Sequence, residues 1–288
     1  MTASCFFVSD LHGKEIRYQK LFQAIRTRKP EAVFFGGDLL PSGLHQLTKS
    51  QSQSGNFFED ILFAGFAQLK DLSGFPYPQV FVIPGNDDGR GDEDDFLEGE
   101  KHGYWKYIPN RVVQWKQWSV LGYAYVPPTP FLLKDWEKYD VSAYVDPGCV
   151  SPEEGFRSVP LSKYELRYSN IQKDLELLTQ DLDMTKTIGL FHSPPYQTHL
   201  DRAALDGQMV DYVPLDVHVG SIALQRMIEE KQPLITLHGH VHESVRLTGH
   251  WKQQLGSTTM MGAAHDGSEL ALVVFDPENP QESTRELL

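Results

Sequence analysis

Read from the amino terminus, the chain alternates short apolar runs with longer amphipathic stretches. Residues 4–9, SCFFVS, are apolar and aromatic, the mark of a buried strand. KEIRYQKLFQAIRTRK follows, and in it Tyr18, Leu21, Phe22 and Ile25 fall at i, i+3, i+4 and i+7, one face of a helix. AVFF (32–35) predicts a second strand. FFEDILFAGFAQLKDL (57–72) predicts a second helix, with Phe58, Leu62, Phe66 and Leu69 along one side, and QVFVI (79–83) a third strand. Strand, helix, strand, helix, strand implies parallel pairing through right-handed crossovers.

The pattern then loosens. DEDDFLEGE (92–100) is acidic and turn-prone and reads as a solvated loop, while RVVQWKQWSVLGYAYV (111–126) reads as two strands with a tight connection. Residues 127–160 are rich in proline and aromatics and have no clear period. Together these features predict an excursion at about 90–160 from a single domain of residues 1–288. Helical order returns at SKYELRYSNIQKDLELLTQDL. Ser162 and Glu165 form a capping box there, and Tyr164, Tyr168, Ile171, Leu175, Leu178 and Leu182 make the expected buried stripe. Strand TIGLF (187–191), a long loop, a helix near 221–231, strand LITL (234–237) and late strands near 243–247 and 269–275 complete the reading. No repeat or low-complexity linker divides the chain. The number of short apolar strands suits two sheets with helices outside.

Charge changes this picture more than composition does. A net charge of −13 over 288 residues repels a nucleic-acid backbone or an anionic membrane. Neither is an expected partner, and the lack of a basic stripe argues against a DNA nuclease. A phosphate-bearing ligand would need a local reversal of the field, which bound metal ions supply. The two cysteines, Cys5 and Cys149, make neither a zinc-ribbon spacing nor a disulfide framework. The opening MTASCFFVSD has no basic region and no long apolar run. The expectation is a cytoplasmic protein.

The candidate chemistry lies where the strands end. Each predicted strand runs into a polar loop: SDLHG, GGDLL, PGNDD, HSPP and HGHVH. The carboxyl ends of parallel strands share one edge, and ligands bind outside it. Five loops can therefore deliver Asp10, His12, Asp38, Asn86, His192, His240 and His242 to one place. Imidazole nitrogen and hard oxygen without thiolate suit divalent manganese, iron or zinc. Seven ligands exceed one tetrahedral ion. They suit two ions sharing a carboxylate, an arrangement that can clamp both the entering and the departing oxygen of a phosphoryl transfer.

The ordered run Asp-x-His, Gly-Asp, Gly-Asn, His, Gly-His-x-His, from residue 10 to residue 242, resembles the calcineurin-like metallophosphoesterase superfamily. Within it, the chain is similar to the small prokaryotic phosphodiesterase-like branch. The resemblance implies an α/β fold, a four-layer αββα sandwich with two mixed sheets flanked by helices. It implies two divalent metal ions, manganese first among manganese, iron and zinc. By position, Asp10, His12 and His242 would hold one ion, Asn86, His192 and His240 the other, with Asp38 as the bridge. His238 would support them from behind or pack. Asp38, Asn86, Asp87 and His192 are the expected catalytic set. Many relatives carry histidine directly after the asparagine, to stabilise or protonate the leaving oxygen. Here that residue is Asp87, and an ionised aspartate cannot donate. His102, His199 and His265 are loop candidates for the missing acid, each read first as a solvated or structural residue. The expected reaction is hydrolysis of a small phosphoester, nucleotide-derived compounds included, by water activated at the metal pair. A diester is favoured because it brings less charge to an acidic protein. A nucleotide pyrophosphohydrolase, a phosphomonoesterase and a non-catalytic scaffold are the alternatives. Base stacking by Tyr104, Trp105, Trp115, Trp118, Tyr123, Tyr125 and Trp136 competes with their packing in a β-ribbon. GSTTMMGAAHDG (256–267) is a candidate cover for the site.

Overall fold

The computed structural model describes residues 4–42 and 56–288. In chain order its elements begin with β1 (Cys5–Val8), α1 (Glu15–Arg28), β2 (Ala32–Gly36), α2 (Ala64–Lys70) and β3 (Gln79–Ile83). Next come α3 (Glu93–Lys101), β4 (Lys106–Tyr107), β5 (Asn110–Trp115), β6 (Trp118–Tyr123), α4 (Lys163–Tyr168) and α5 (Ile171–Leu178). The last part holds β7 (Thr187–Phe191), β8 (Met209–Val210), β9 (Val213–Pro214), α6 (Ile222–Lys231), β10 (Ile235–His238) and α7 (Ser244–Thr248). It closes with β11 (Lys252–Leu255), β12 (Thr258–Gly262), β13 (Ala271–Phe275) and β14 (Thr284–Leu287).

Two six-stranded sheets result, ordered β14-β13-β1-β2-β3-β4 and β11-β12-β10-β7-β6-β5. Both are mixed. β1, β2, β3 and β4 run parallel while β13 joins β1 antiparallel. In the second sheet β12, β10, β7 and β6 are parallel and the edge strands β11 and β5 are antiparallel. The central strands β1, β2 and β3 are almost wholly apolar because both faces are covered. Phe6, Val8, Val33, Phe35, Val80 and Val82 face α1, α2 and α3 in one core. Cys5, Phe7, Ala32, Phe34, Phe81 and Ile83 face the other way, into the core shared with the second sheet. Ile171 and Leu175 of α5 and Leu224 and Ile228 of α6 join that second core. The order of layers is helices, sheet, sheet, helices, the expected sandwich.

Several elements differ from the expectation. The helix at 57–72 starts as a π-helical segment, Phe58–Phe63, before becoming α2. The wider turn lets Phe58 and Phe63 both reach the core, with ring centroids 5.9 Å apart. Residues 92–100 are no solvated loop but mostly the helix α3. Glu93, Asp94 and Asp95 sit in its first turn, where the helix dipole favours negative charge. Phe96 anchors it in the core, and Gly99 lies under Trp105, where a Cβ would come within 1.9 Å of the indole. Within residues 90–160, β4, β5 and β6 belong to the two sheets.

The helix expected from 162 breaks in two. The capping box of Ser162 and Glu165 is present, but Asn170 is extended and its side chain caps α5. Tyr164 and Tyr168 are consequently exposed rather than part of a buried stripe. Residues 244–248 are helical, not a strand, and end on Gly249 in the left-handed conformation. The 256–267 segment supplies β12 instead of a cover. Met260 and Met261 are fully buried there. Of the seven aromatics weighed for base stacking, Trp105, Trp115, Trp118, Tyr123, Tyr125 and Trp136 are buried, which leaves them to packing. No helix among the described residues is long and apolar enough to cross a membrane.

Candidate metal centre

All seven predicted donors meet at the edge where β1, β2, β3, β7 and β10 end. The loops reach it by unusual backbone geometry. Asp10, His12, Asp38 and His240 all have positive φ, at 57°, 47°, 51° and 74°. Non-glycine residues adopt this region at a cost of roughly 1 kcal/mol or more, so the surroundings must enforce it. Backbone hydrogen bonds do so: Asp10 N–H donates to Gly37 O at 2.9 Å and His12 N–H to Asp38 O at 2.8 Å. The glycine before Asn86 serves close approach. A Cβ on Gly85 would stand 2.3 Å from Asp38 Oδ1 and 2.6 Å from His192 Cε1.

One donor group comprises Asp10, His12, Asp38 and His242, whose ligand atoms lie within 4.8 Å of one another. His242 Nε2 is 3.1 Å from Asp10 Oδ1 and 3.0 Å from His12 Nε2. The second group faces it across Asp38. His192 Nε2 is 3.4 Å from Asp38 Oδ2 and 3.0 Å from Asn86 Oδ1, and the His192 and His240 rings are 5.2 Å apart. Asp38 Oδ2 also lies 3.7 Å from His12 Nε2, so one carboxylate oxygen looks at both groups.

The chemistry of this set fits divalent cations. The His192 Nδ1 lies 2.7 Å from the Gly36 carbonyl, which can only accept, so Nδ1 carries the proton and Nε2 turns a lone pair inward. There it meets the oxygens of Asn86 and Asp38. Converging lone pairs repel unless a proton or a metal ion lies between them. Without an ion, protons take that part. Burial would lower His192, but the charge of Asp38 and its hydrogen bond outweigh burial and raise the imidazole to about 9. His12 reaches about 9 in the same way, against burial, through Asp87, Asp38 and Asp10. Burial alone would raise Asp10 and Asp38. The imidazoles reverse this and hold both carboxyls below the usual range. His240 goes the other way, pushed to about 3 by burial and by the charge of His192.

His238 does not converge with the donors. It is fully buried, with Nδ1 2.9 Å from Ser193 O, Nε2 2.7 Å from Thr236 Oγ1 and its ring stacked on Phe191. Asp87 turns its carboxylate toward His12 and Ser42. His199 stacks on His250, and His265 pairs with Glu269. His102 lies against Phe63 and Tyr104. Two supports went unread in the sequence. The buried Asp88 accepts backbone N–H groups from Leu39, Leu40 and Gly85, tying the loop after β2 to the loop after β3. The Arg17 guanidinium, 2% exposed, donates to Asp10 O at 2.5 Å and Gly267 O at 2.6 Å. Asp88 had the signature of a plain turn residue, and Arg17 that of one more polar position on a helix.

Comparison with known proteins agrees with this geometry. The family model described as calcineurin-like phosphoesterase matches residues 4–244. Among solved structures, TT1561 of Thermus thermophilus is 14% identical with a TM-score of 0.57, covering 100% of this chain and 99% of its own. A phosphopantetheinyl hydrolase from Mycobacterium tuberculosis is 12% identical with a TM-score of 0.54, covering 92% of this chain and 90% of its own. A dimetal phosphatase from Danio rerio is 12% identical with a TM-score of 0.50, covering 96% and 93%. At such identities the likeness concerns the fold. No curated protein matches the chain. The family match spans every one of the seven converging side chains: the chain belongs to the calcineurin-like phosphoesterase family, hydrolases of phosphoester bonds.

Proposed function

We propose that this chain is a phosphodiesterase that works with two divalent metal ions, manganese before iron or zinc, on a small diester that can be nucleotide-derived. The observation that carries the reading is Asp38 Oδ2 facing both donor groups, 3.4 Å from His192 Nε2 and 3.7 Å from His12 Nε2. Asp10, His12 and His242 would hold one ion, Asn86, His192 and His240 the other, and Asp38 both. When bound, the ions supply Lewis acidity, which brings a water toward its ionised form near neutral pH and offsets charge on the phosphoryl oxygens. The side chains do the rest. Gly36 O keeps His192 Nδ1 protonated, the Asp10 carboxylate accepts the His240 N–H, and Arg17 holds the Asp10 carbonyl, so the donors are fixed before substrate arrives.

The preference for a diester rests on charge. A monoester brings nearly two negative charges and a diester one. The site already contains Asp10, Asp38 and Asp87, in a protein of net charge −13. No histidine stands beside the asparagine to protonate a poor leaving group. The test is hydrolysis of bis-p-nitrophenyl phosphate against p-nitrophenyl phosphate by metal-free protein reconstituted with manganese, iron or zinc. Higher kcat/KM for the diester is expected, greatest with manganese. A preference for the monoester would move the reading to a phosphomonoesterase, and metal-loaded protein inert on both and on dinucleotides would leave a binding scaffold. Asp38→Asn should lower turnover by about 10²-fold or more with the fold retained.

A further inference from the structure

We infer that Asp87 is a positioning residue for His12, locking that imidazole as a metal donor rather than giving a proton to the leaving group. The inference rests on the seven donors being a metal centre. Among the described residues, Asp87 makes polar contacts to His12, Ser42 and Asp38, two of them donors. Its Oδ2 lies 3.3 Å from His12 Nδ1. Its Oδ1 accepts the Ser42 hydroxyl at 2.9 Å. Its backbone N–H donates to Asp38 Oδ1 at 2.8 Å, leaving Asp38 Oδ2 for the donors.

A carboxylate only accepts, so the His12 nitrogen facing it is the protonated one. The lone pair is then on Nε2, and Nε2 is the atom that faces His242 Nε2 and Asp38 Oδ2. His192 is locked on the opposite side by the same logic, with the Gly36 carbonyl in place of a carboxylate. On His12 Nδ1 the facing acceptor is the Asp87 carboxylate. The His12 backbone, at φ of 47°, is held by its N–H on Asp38 O, which leaves the ring to be oriented by its own contacts. A carboxylate behind a metal-binding histidine fixes the ring and raises its basicity, and losing such a partner weakens metal affinity by about 10–100-fold. Both Asp87 oxygens are thus turned to His12 and Ser42.

The test reads metal binding, not turnover. Metal-free protein is titrated with Mn²⁺ by calorimetry, with circular dichroism as the fold control. Two ions are expected in the wild type. In Asp87→Ala one of them should bind about 10–100-fold more weakly while the other changes little. Asp87→Asn keeps an oxygen that accepts the Nδ1 proton and should recover most of the loss. Wild-type affinity for both ions in Asp87→Ala, or an equal loss in Asp87→Asn and Asp87→Ala, would overturn the inference and leave the metal centre standing. Failure of the wild type to bind ions would instead remove the centre itself. Should Asp87→Ala not fold, nitrogen-detected NMR of the zinc-loaded wild type decides. A slowly exchanging proton on His12 Nδ1 is expected, and one exchanging as fast as on a solvent-exposed imidazole would refute the role.

Discussion

At the scale of single residues, the site depends on atoms being absent as much as present. Gly85 has no Cβ where one would collide with Asp38 Oδ1, the Asp38 backbone nitrogen and His192 Cε1, at 2.3, 2.4 and 2.6 Å. None of these is the free end of a flexible chain. Gly85→Ala should therefore displace Asp38 and His192 by part of an ångström, and such displacement of reacting groups lowers kcat/KM about 100-fold. Steady-state hydrolysis of bis-p-nitrophenyl phosphate checks this, and wild-type kcat/KM would show that the two loops yield without moving the donors. The convergence of the seven side chains was legible because each is a metal-binding type in a loop that follows an apolar run. Asp88 and Arg17 were not, because their partners are backbone atoms. Arg17 reaches Gly267 O, 250 residues away, and a carbonyl has no signature in sequence. The positive φ of Asp10, His12, Asp38 and His240 was hidden for a related reason: it is imposed by loop-to-loop hydrogen bonds.

At the scale of elements, strands were easier to read than helices. β3 and β7 coincide with their apolar runs because both faces of each are covered, so nothing polar interrupts them. The long helix expected from 162 failed at Ser169 and Asn170, whose side chains bond locally: Ser169 to Glu165 O, Asn170 to Lys173 N. The irregular segment after β6 had no period to read, yet it is built around a fully buried ion pair. Lys134 Nζ is 2.6 Å from Glu137 Oε2 and also donates to Thr129 O, while Thr129 donates to both Glu137 oxygens. Burial pushes Glu137 up to about 7, although Lys134 and Thr129 pull it down. Removing the cation leaves a buried carboxylate with only the Thr129 N–H and hydroxyl to offset its charge. Lys134→Met should lose about 3–5 kcal/mol at pH 8, where Glu137 is charged. The sign with pH follows from the raised pKa. The folded state holds the Glu137 proton more tightly than the unfolded chain does, so its contribution is present below about 4.5 and is lost as pH rises through about 7. The variant should thus be hurt less at pH 5 than at pH 8. Urea unfolding at the two pH values measures it, and an equal loss at both would mean the charge is not what matters. Lys134→Met combined with Glu137→Leu should recover much of the stability at pH 8.

At the scale of the whole molecule, the candidate centre joins the two sheets. Asp10, His12, Asp38 and Asn86 come from loops of the sheet containing β1, β2 and β3, and His192, His240 and His242 from loops of the sheet containing β7 and β10. The donors are 232 residues apart at their extremes, so an unfolded chain cannot gather them, and ions held as proposed would bind the folded state. Binding to the folded state only stabilises it by RT ln(1 + [L]/Kd), about 2.7 kcal/mol per site at a hundredfold excess over Kd. In a chain of this size that raises Tm by roughly 5 °C or more. The metal-free state also keeps buried Asp10 and Asp38 together, held by protons on His12 and His192. Chelator-treated protein should therefore melt lower than protein in excess Mn²⁺, and the gap should shrink in Asp38→Asn, which loses the oxygen shared by both groups. Differential scanning calorimetry of the four samples reads this. An unchanged Tm on chelation, or a gap as large in Asp38→Asn as in the wild type, would mean the ions do not bridge the sheets. The seam between the sheets would then be held by the apolar core of Phe7, Phe34, Phe81, Leu190 and Leu237 alone.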